Sequence, residues 1–346
     1  MSTYREAGVD LDAADALVGS IADDVTSTWG PRVVGSFGGF AGGFRLPAGY
    51  DDPVLMMSTD GIGTKLDLAR RHARLDGIGF DLVAMVVDDL AAAGAEPLAL
   101  TDYIAVGRLD VDEVASIVRS IAAACRHAEV ALIGGETAEH PGTMTPTALD
   151  VSATALGVAE GTALFDPGDI ATGDVVVGVS SPNIRSNGFS LVRSILARSE
   201  IDVGSPMGSG SLLDIVLEPS VIYAPAAMAS KAQVKAYVHV TGGGLPGNLN
   251  RVLPSQFDAV VDERQWQEPA VFDLIAEAGA VDRGEMRRVF NMGIGFVAIC
   301  DPSAVDPVIA RFADFGHGAQ AIGSIEPGTG LVRYEPSKGT AERPKS

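Results

Sequence analysis

Short apolar runs alternate with longer amphipathic stretches along the chain, and each kind predicts its own element. Residues 54–57 form a compact apolar run, read as a buried strand. It ends in Thr59-Asp60-Gly61-Ile62-Gly63-Thr64-Lys65, with a helix following through Arg71. Residues 80–93 read as a second helix stopped by Gly94. Residues 98–106 alternate loosely, as a strand does. Asp110 and Glu113 resemble a capping box, and Val114, Ile117, Val118, Ile121 and Cys125 then mark one helical face. Residues 130–133 form the next strand, leading into Gly134-Gly135-Glu136-Thr137, and residues 151–158 another. This β-α-β-β order predicts mixed α+β layering rather than strict βαβ winding.

A break falls at Phe165-Asp166-Pro167-Gly168-Asp169. Beyond it the same elements recur. Strands are expected at 175–179, 257–261, 295–300 and 319–325, and helices at 188–197 and 305–315. A mostly helical stretch is expected at 218–235, interrupted near its start by Pro225. The length of 346 residues suits about two domains. We therefore expect an α/β (α+β) chain divided into residues 1–168 and 169–346, with a frayed polar tail from Glu335.

The apolar share of 47% is enough for packed cores, and no apolar run approaches the length of a bilayer span. Residues 1–12 are polar and acidic, unlike a secretory leader. Cys125 and Cys300 sit far apart in apolar stretches, as buried free thiols of a cytoplasmic protein would. The net charge of −20 repels nucleic acid and anionic lipid, which excludes both as expected partners. The same field means that a phosphate-bearing ligand must be held by local devices: backbone N–H nests, helix N-termini, a few basic side chains and a divalent cation.

Several segments carry the residue types for such a task. In the loop 58–65, Asp60 could hold a metal, Gly61 and Gly63 would admit phosphate oxygens to backbone N–H groups, and Lys65 could neutralise a phosphate. The spacing is not that of a Walker A loop, and a tight turn with a solvated lysine is the alternative. Asp88-Asp89 lies in an apolar helix, which fits either a helix emerging at the surface or a Mg²⁺ site. Residues 134–139 add Glu136, Thr137 and Glu139, or else form a helix N-cap region. Gly35 to Gly43 is a mobile loop or a cover for a phosphate chain. In the second half, Ser186-Asn187-Gly188 opens a helix with Arg185 just before it, a potential anion site. His239 followed by Thr241-Gly242-Gly243-Gly244 joins a potential acid or base to a nest. Residues 291–295 form a turn into a strand. His72, His127, His140 and His317 read as surface or structural residues.

Taken in order, these segments resemble one family. Residues 4–10, the Asp60 loop, Asp89 with Gly94-Ala95-Glu96-Pro97, residues 134–139, 186–193, 239–244 and 291–295 are similar to the pattern of the phosphoribosylformylglycinamidine cyclo-ligases, also called aminoimidazole ribonucleotide synthetases. The resemblance runs from about Tyr4 to about Ile325. It implies a two-domain protomer whose N-terminal mixed sheet forms a central barrel in a homodimer. It also implies an ATP- and Mg²⁺-dependent ring closure of formylglycinamidine ribonucleotide. On that basis Asp60, Asp89 and Glu136 are expected to hold Mg²⁺, and with Gly61, Gly63, Thr64, Lys65 and Thr137 to bind ATP. Arg185, Ser186, Asn187, Gly188, Thr241, Gly242 and Gly243 are expected to face the substrate, with Arg185 on its phosphate. His239 and Lys65 are the catalytic candidates.

The chain departs from the family pattern at several points. Arg185 stands where His is common, Asp88 where Asn is usual, and Arg5 where Lys is usual. Met144, Leu149 and residues 152–154 replace a usual Tyr, Tyr and Ala-Gly-Phe. Other ATP-using enzymes of the same superfamily, such as a thiamine-phosphate kinase or a selenophosphate synthetase, match the segments around Ser186 and His239 less well. A nucleotide-binding scaffold without turnover is the reading from another class.

Overall fold

The computed structural model describes residue 4 and residues 6–199 and 201–335; Arg5 and the tail beyond Glu335 lie outside the described residues. Helix α1 (Leu11–Thr26) opens the chain, its N-terminal N–H of Ala13 capped by the Asp10 side chain. A first sheet is built from β1 (Pro53–Gly61), β2 (Glu96–Val106), β3 (Ala131–Glu139) and β4 (Leu149–Glu160). Its strand order is β1-β4-β2-β3, antiparallel except for the parallel β2/β3 pair. That parallel pair needs a crossover, and α4 (Val111–His127) supplies it.

Two more helices complete this half: α2 (Lys65–Arg71) and α3 (Ile78–Ala92). Helix α3 is apolar on nearly all sides, and Leu82, Val83, Ala84, Val86 and Val87 are fully buried. Such a helix belongs inside a protein rather than on its surface. It packs on β1 and β4 on one side and on the second half of the chain on the other.

The second half carries a six-stranded sheet. Its strands are β5 (Val175–Ser180), β6 (Ala236–His239), β7 (Phe257–Val261), β8 (Ile294–Cys300), β9 (Ala319–Pro327) and β10 (Val332–Tyr334). They run in the order β6-β8-β5-β9-β7-β10, antiparallel except for β7/β10. Helices α5 (Phe189–Arg198), α6 (Ala224–Ser230), α7 (Gly244–Leu249), α8 (Ala270–Gly279) and α9 (Val305–Asp314) pack around it. One apolar cluster runs without a break from Leu17 and Val25 in α1 to Phe296 and Phe312, so the two halves share a core.

Several expectations change. Strand β1 is an edge strand with alternate residues exposed, not a buried one; Leu55 and Met57 are 56% and 69% exposed. Residues 134–139 continue β3 as strand instead of leaving it as a turn or helix cap. In 218–235 only Ala224–Ser230 is α-helical, and Pro225 lies in its first turn, where the missing N–H has no partner to lose. Cys125 and Cys300 are free and buried, as expected.

Candidate functional site

Asp60 lies near the end of β1 and points to the face of the sheet covered by α3. Its row across the sheet is Asp60, Ala153, Asp102 and Gly135. Asp89, on α3, stands close enough for the two carboxylates to feel each other's charge. Burial raises the Asp60 carboxyl above its ordinary range and the Asp89 charge adds to this, against the N–H of Gly61. Burial also pushes Asp89 upward, but His239 and Ser58 donate to it and Arg251 adds positive charge. The balance holds Asp89 below the usual carboxylate range. A cavity of about 660 Å³ opens here, lined by Ser58, Asp89, His239, Asn248 and Arg251 among others.

The glycine loop of the second half reaches the same region. Asn248 Nδ2 donates to the carbonyls of Thr241, Gly242 and Gly244, which pins the turn into α7. Gly243 and Gly244 have φ of 98° and 61°, conformations that favour glycine. Asn187 lies beside Gly242: a side-chain carbon on Gly242 would meet Asn187 Nδ2 at 3.7 Å. Thr64 Oγ1 and Ser190 Oγ bridge the two halves at 3.3 Å. Gly188 caps α5 with φ 81°, and a Cβ there would run into Phe290 at 2.3 Å. Asp60 and Asp89 thus stand together beside His239, while Thr64 meets Ser190 and Asn187 meets Gly242 across the two halves.

Five expected residues do not serve as the sequence implied. Lys65 is fully buried. Its Nζ sits 2.8 Å from Asp81 Oδ2 and donates to the carbonyl oxygens of Arg185 and Glu218 at 3.1 and 2.7 Å. It has no approach to a phosphate, and the expected catalytic role is withdrawn. Glu136 belongs to the opposite face of the sheet from Asp60, since its row is Gly61, Ser152, Tyr103 and Glu136. Three strand spacings, roughly 14 Å, also separate the two strands. One ion cannot be shared by Asp60, Asp89 and Glu136 of one chain. Among the described residues no three His, Cys, Asp or Glu side chains converge as a metal cage. Glu136 and Thr137 instead line a second cavity of about 800 Å³ together with Gly38, Gly39 and Asp102.

Arg185 is 1% exposed, and its guanidinium faces the interior, not an anion in the cleft. Nη2 donates to Asp88 Oδ2 at 3.1 Å and to His239 Nε2 at 2.9 Å, and Nη1 donates to the Val221 carbonyl at 3.0 Å. Its backbone φ is 64°, a strained region for a non-glycine residue, held by a bond from its N–H to Asn183 Oδ1. The expected contact with a substrate phosphate is therefore corrected. Asp88 and Arg185 are two of the departures from the family pattern, and they meet here, so their added charges cancel. Ser186 Oγ is buried without a hydrogen-bond partner among the described residues. His239 has both ring nitrogens engaged, Nε2 with Arg185 and Nδ1 with Asp89 Oδ1 at 2.8 Å, which leaves no free nitrogen for the expected proton transfer.

Sequence reasoning passed over Ser58, Asp81, Asn248 and Arg251. Ser58 had a signal: it stands two residues before Asp60 and so shares its strand face. Asp81 and Arg251 had none, because each acquires its partner from a distant segment.

Asp60 on an edge strand, with Asp89 on the helix that packs between the two halves, marks a two-half α/β protein with a carboxylate pair close to where the halves meet. Residues 45–159 match the family described as AIR synthase related protein, N-terminal domain, and residues 171–334 match its C-terminal domain. The fold is shared at low identity with thiamine-monophosphate kinase from Stenotrophomonas maltophilia K279a (17% identity, 91% of this chain and 96% of that one, TM-score 0.69). It is shared also with hydrogenase maturation protein HypE in complex with ATP (17%, 93% and 89%, TM-score 0.64). Proteins named phosphoribosylformylglycinamidine cyclo-ligase are far nearer in sequence. That of Anaeromyxobacter sp. (strain Fw109-5) is 45% identical over 338 residues, 96% of this chain and 98% of that one. That of Sorangium cellulosum (strain So ce56) is 45% identical over 333 residues, 93% and 95% of the two chains. The chain belongs to the phosphoribosylformylglycinamidine cyclo-ligase family.

Proposed function

We propose that this protein closes formylglycinamidine ribonucleotide to aminoimidazole ribonucleotide at the expense of ATP, releasing ADP and phosphate, in de novo purine synthesis. The observation that carries the reading is the likeness at 45% identity, over nearly the whole of both chains, to proteins bearing that name. The γ-phosphoryl group of ATP passes to the formyl amide oxygen, breaking its bond to ADP and making that oxygen a good leaving group. A substrate nitrogen then attacks the same carbon with its lone pair. The carbon–oxygen bond breaks, phosphate leaves with the oxygen, and the nitrogen gives its proton to solvent. Positioning and charge neutralisation carry most of such catalysis.

The residues divide as follows. Asp60 and Asp89 fit Mg²⁺: two neighbouring carboxylates, one raised by burial and by the other's charge, are relieved by a divalent cation. When bound, Mg²⁺ would neutralise the polyphosphate charge that this protein's −20 net charge opposes. Gly63 and Thr64, at the turn into α2, offer backbone N–H groups to phosphate oxygens, while the Gly61 N–H is held by Asp60 Oδ1. Asn187, Gly188 and the turn at Thr241, Gly242 and Gly243 face the other substrate, with the exposed Arg251 adding positive charge at Asp89. Lys65 and Arg185 brace the site from beneath and touch neither ligand.

Residues 1–168 then form the nucleotide and dimerisation half and residues 169–346 the substrate half, a division supported by the two family matches. Homodimerisation into a central barrel is supported by the edge strand β1 and by Leu55, Met57 and Tyr103 on the uncovered face of the first sheet. No described helix is long and apolar enough to cross a membrane, which fits the cytoplasmic location this reading assigns. The test is incubation of the protein with MgATP and formylglycinamidine ribonucleotide. Expected is an aromatic amine product matched mole for mole by ADP. Transfer of phosphate to thiamine phosphate, with no amine formed, would move the protein to another branch of the superfamily.

A further inference from the structure

A chain of four polar side chains runs from the core to the cleft: Asp88, Arg185, His239 and Asp89. Their side-chain exposures rise along it, at 0%, 1%, 2% and 40%. Asp88 is anchored independently, because its Oδ1 accepts from the backbone N–H groups of Tyr223 and Ala224, both at 2.8 Å. Its Oδ2 accepts from Arg185 Nη2 at 3.1 Å. The guanidinium lies over the Tyr223 ring at 4.9 Å and donates to the Val221 carbonyl, so it has little freedom to turn. Arginine has donors and no acceptor. His239 Nε2, 2.9 Å from Nη2, must therefore accept, and the ring hydrogen must be on Nδ1. Nδ1 in turn lies 2.8 Å from Asp89 Oδ1, while Ser58 Oγ donates to Asp89 Oδ2 at 3.2 Å.

We propose that Arg185 is a positioning residue: held by Asp88, its guanidinium selects the Nδ1–H tautomer of His239, which donates to Asp89 and aims that carboxylate into the cleft. The inference rests on the reading of Asp89 as a holder of the MgATP cation, and it deepens that reading. The charges follow the same logic. Asp88 and Arg185 cancel, and Asp89 presents its carboxylate at the open end. A structural brace alone would need only Asp88 and the Val221 carbonyl. The bond to His239 is what links the buried pair to the cleft, as a second partner commonly fixes the tautomer of a histidine that serves a cation site.

The test has two readouts on the full-length protein. Long-range ¹⁵N–¹H correlation spectra of ¹⁵N-histidine-labelled protein report the His239 tautomer without any nucleotide. The expected result is a bare Nε2 and a protonated Nδ1; a hydrogen on Nε2 would overturn the proposal. The second readout is affinity for a non-hydrolysable MgATP analogue by calorimetry. Arg185→Gln alone strands Asp88 and can fail to fold, so the variant is Asp88→Asn with Arg185→Gln, which removes both buried charges together. The expected result is a mixed tautomer signal and affinity reduced roughly tenfold, as for loss of one oriented charge-assisted bond. Affinity for formylglycinamidine ribonucleotide should be unchanged. A folded double variant with lower thermal stability and wild-type analogue affinity would make Arg185 a brace only and sink the proposal. Failure of the wild type to bind the analogue would instead count against the nucleotide reading, and the tautomer spectrum would still decide the inference.

Discussion

Replacing Lys65 by Met should damage the fold and spare the nucleotide. Lys65 Nζ has no contact with the cleft and three partners inside the protein: Asp81, the Arg185 carbonyl and the Glu218 carbonyl. Burial lowers its affinity for a proton, and Asp81 opposes that loss. Removing the ammonium leaves Asp81 fully buried, with only the N–H and hydroxyl of Ser220 as partners. Breaking one side of a buried ion pair costs about 3–5 kcal/mol. For 346 residues unfolding together, an unfolding entropy of about 2.1 cal/mol/K per residue gives roughly 0.7 kcal/mol per degree. The expected fall in Tm is therefore about 4–7 °C. Lys65→Met with Asp81→Asn should recover most of it, since the amide still accepts from Ser220 and no charge is stranded. Scanning calorimetry measures the stability and isothermal titration of the folded variant measures MgATP affinity. A variant of wild-type stability that no longer binds MgATP would refute this reasoning and return Lys65 to the phosphates.

Three further outcomes are expected. Asp60→Asn should weaken Mg²⁺-dependent ATP binding by roughly tenfold or more, about one charge-assisted contact, and should leave Mg²⁺-free binding little changed; equal effects with and without Mg²⁺ in calorimetry would remove Asp60 from the cation. Met57→Glu should shift the protein from dimer to monomer in light scattering, because it places a charge on an exposed apolar edge strand; an unaltered dimer would put the interface elsewhere. Burial raises the Asp102 carboxyl to about 7, so its folded value lies above its unfolded one. The associated stability is present in full below the unfolded value, near pH 4, and is lost as pH rises through about 7. Asp102→Asn should thus gain stability over the wild type across that interval, by at most about 4 kcal/mol and by less where solvent reaches the group. A stability difference that stays flat with pH in urea titrations would contradict it.

Much of the fold was legible because its elements are local. Alternation and caps located α4, β2, β4 and β9 to within a few residues, and Asp110 caps α4 through the Glu113 N–H as its spacing implied. The edge position of β1 was not legible, since an apolar run reads alike whether a neighbour covers it or not. Pro225 was misread for a related reason: a proline interrupts or opens a helix according to where the helix begins. In the site, Asp60 comes together with Asp89, and Asn187 with Gly242, although these residues are far apart along the chain. The basic residues misled. A lysine beside a glycine loop and an arginine before a helix N-terminus look like phosphate ligands when read locally. Their actual partners, Asp81 and Asp88, come from α3, where the local pattern offered Asp88 as a Mg²⁺ ligand and gave Asp81 no role. Glu136 failed by strand parity, visible only once the register of β3 against β2 is known.

Activation of the formyl oxygen by ATP is the step on which ring closure turns. Its most direct test uses formylglycinamidine ribonucleotide labelled with ¹⁸O in the formyl group, turned over with MgATP in unlabelled water. One ¹⁸O atom is expected in each inorganic phosphate released, formed together with one amine product. Phosphate free of the label, at equal yield of amine, would mean that the formyl oxygen is not phosphorylated and leaves by another route.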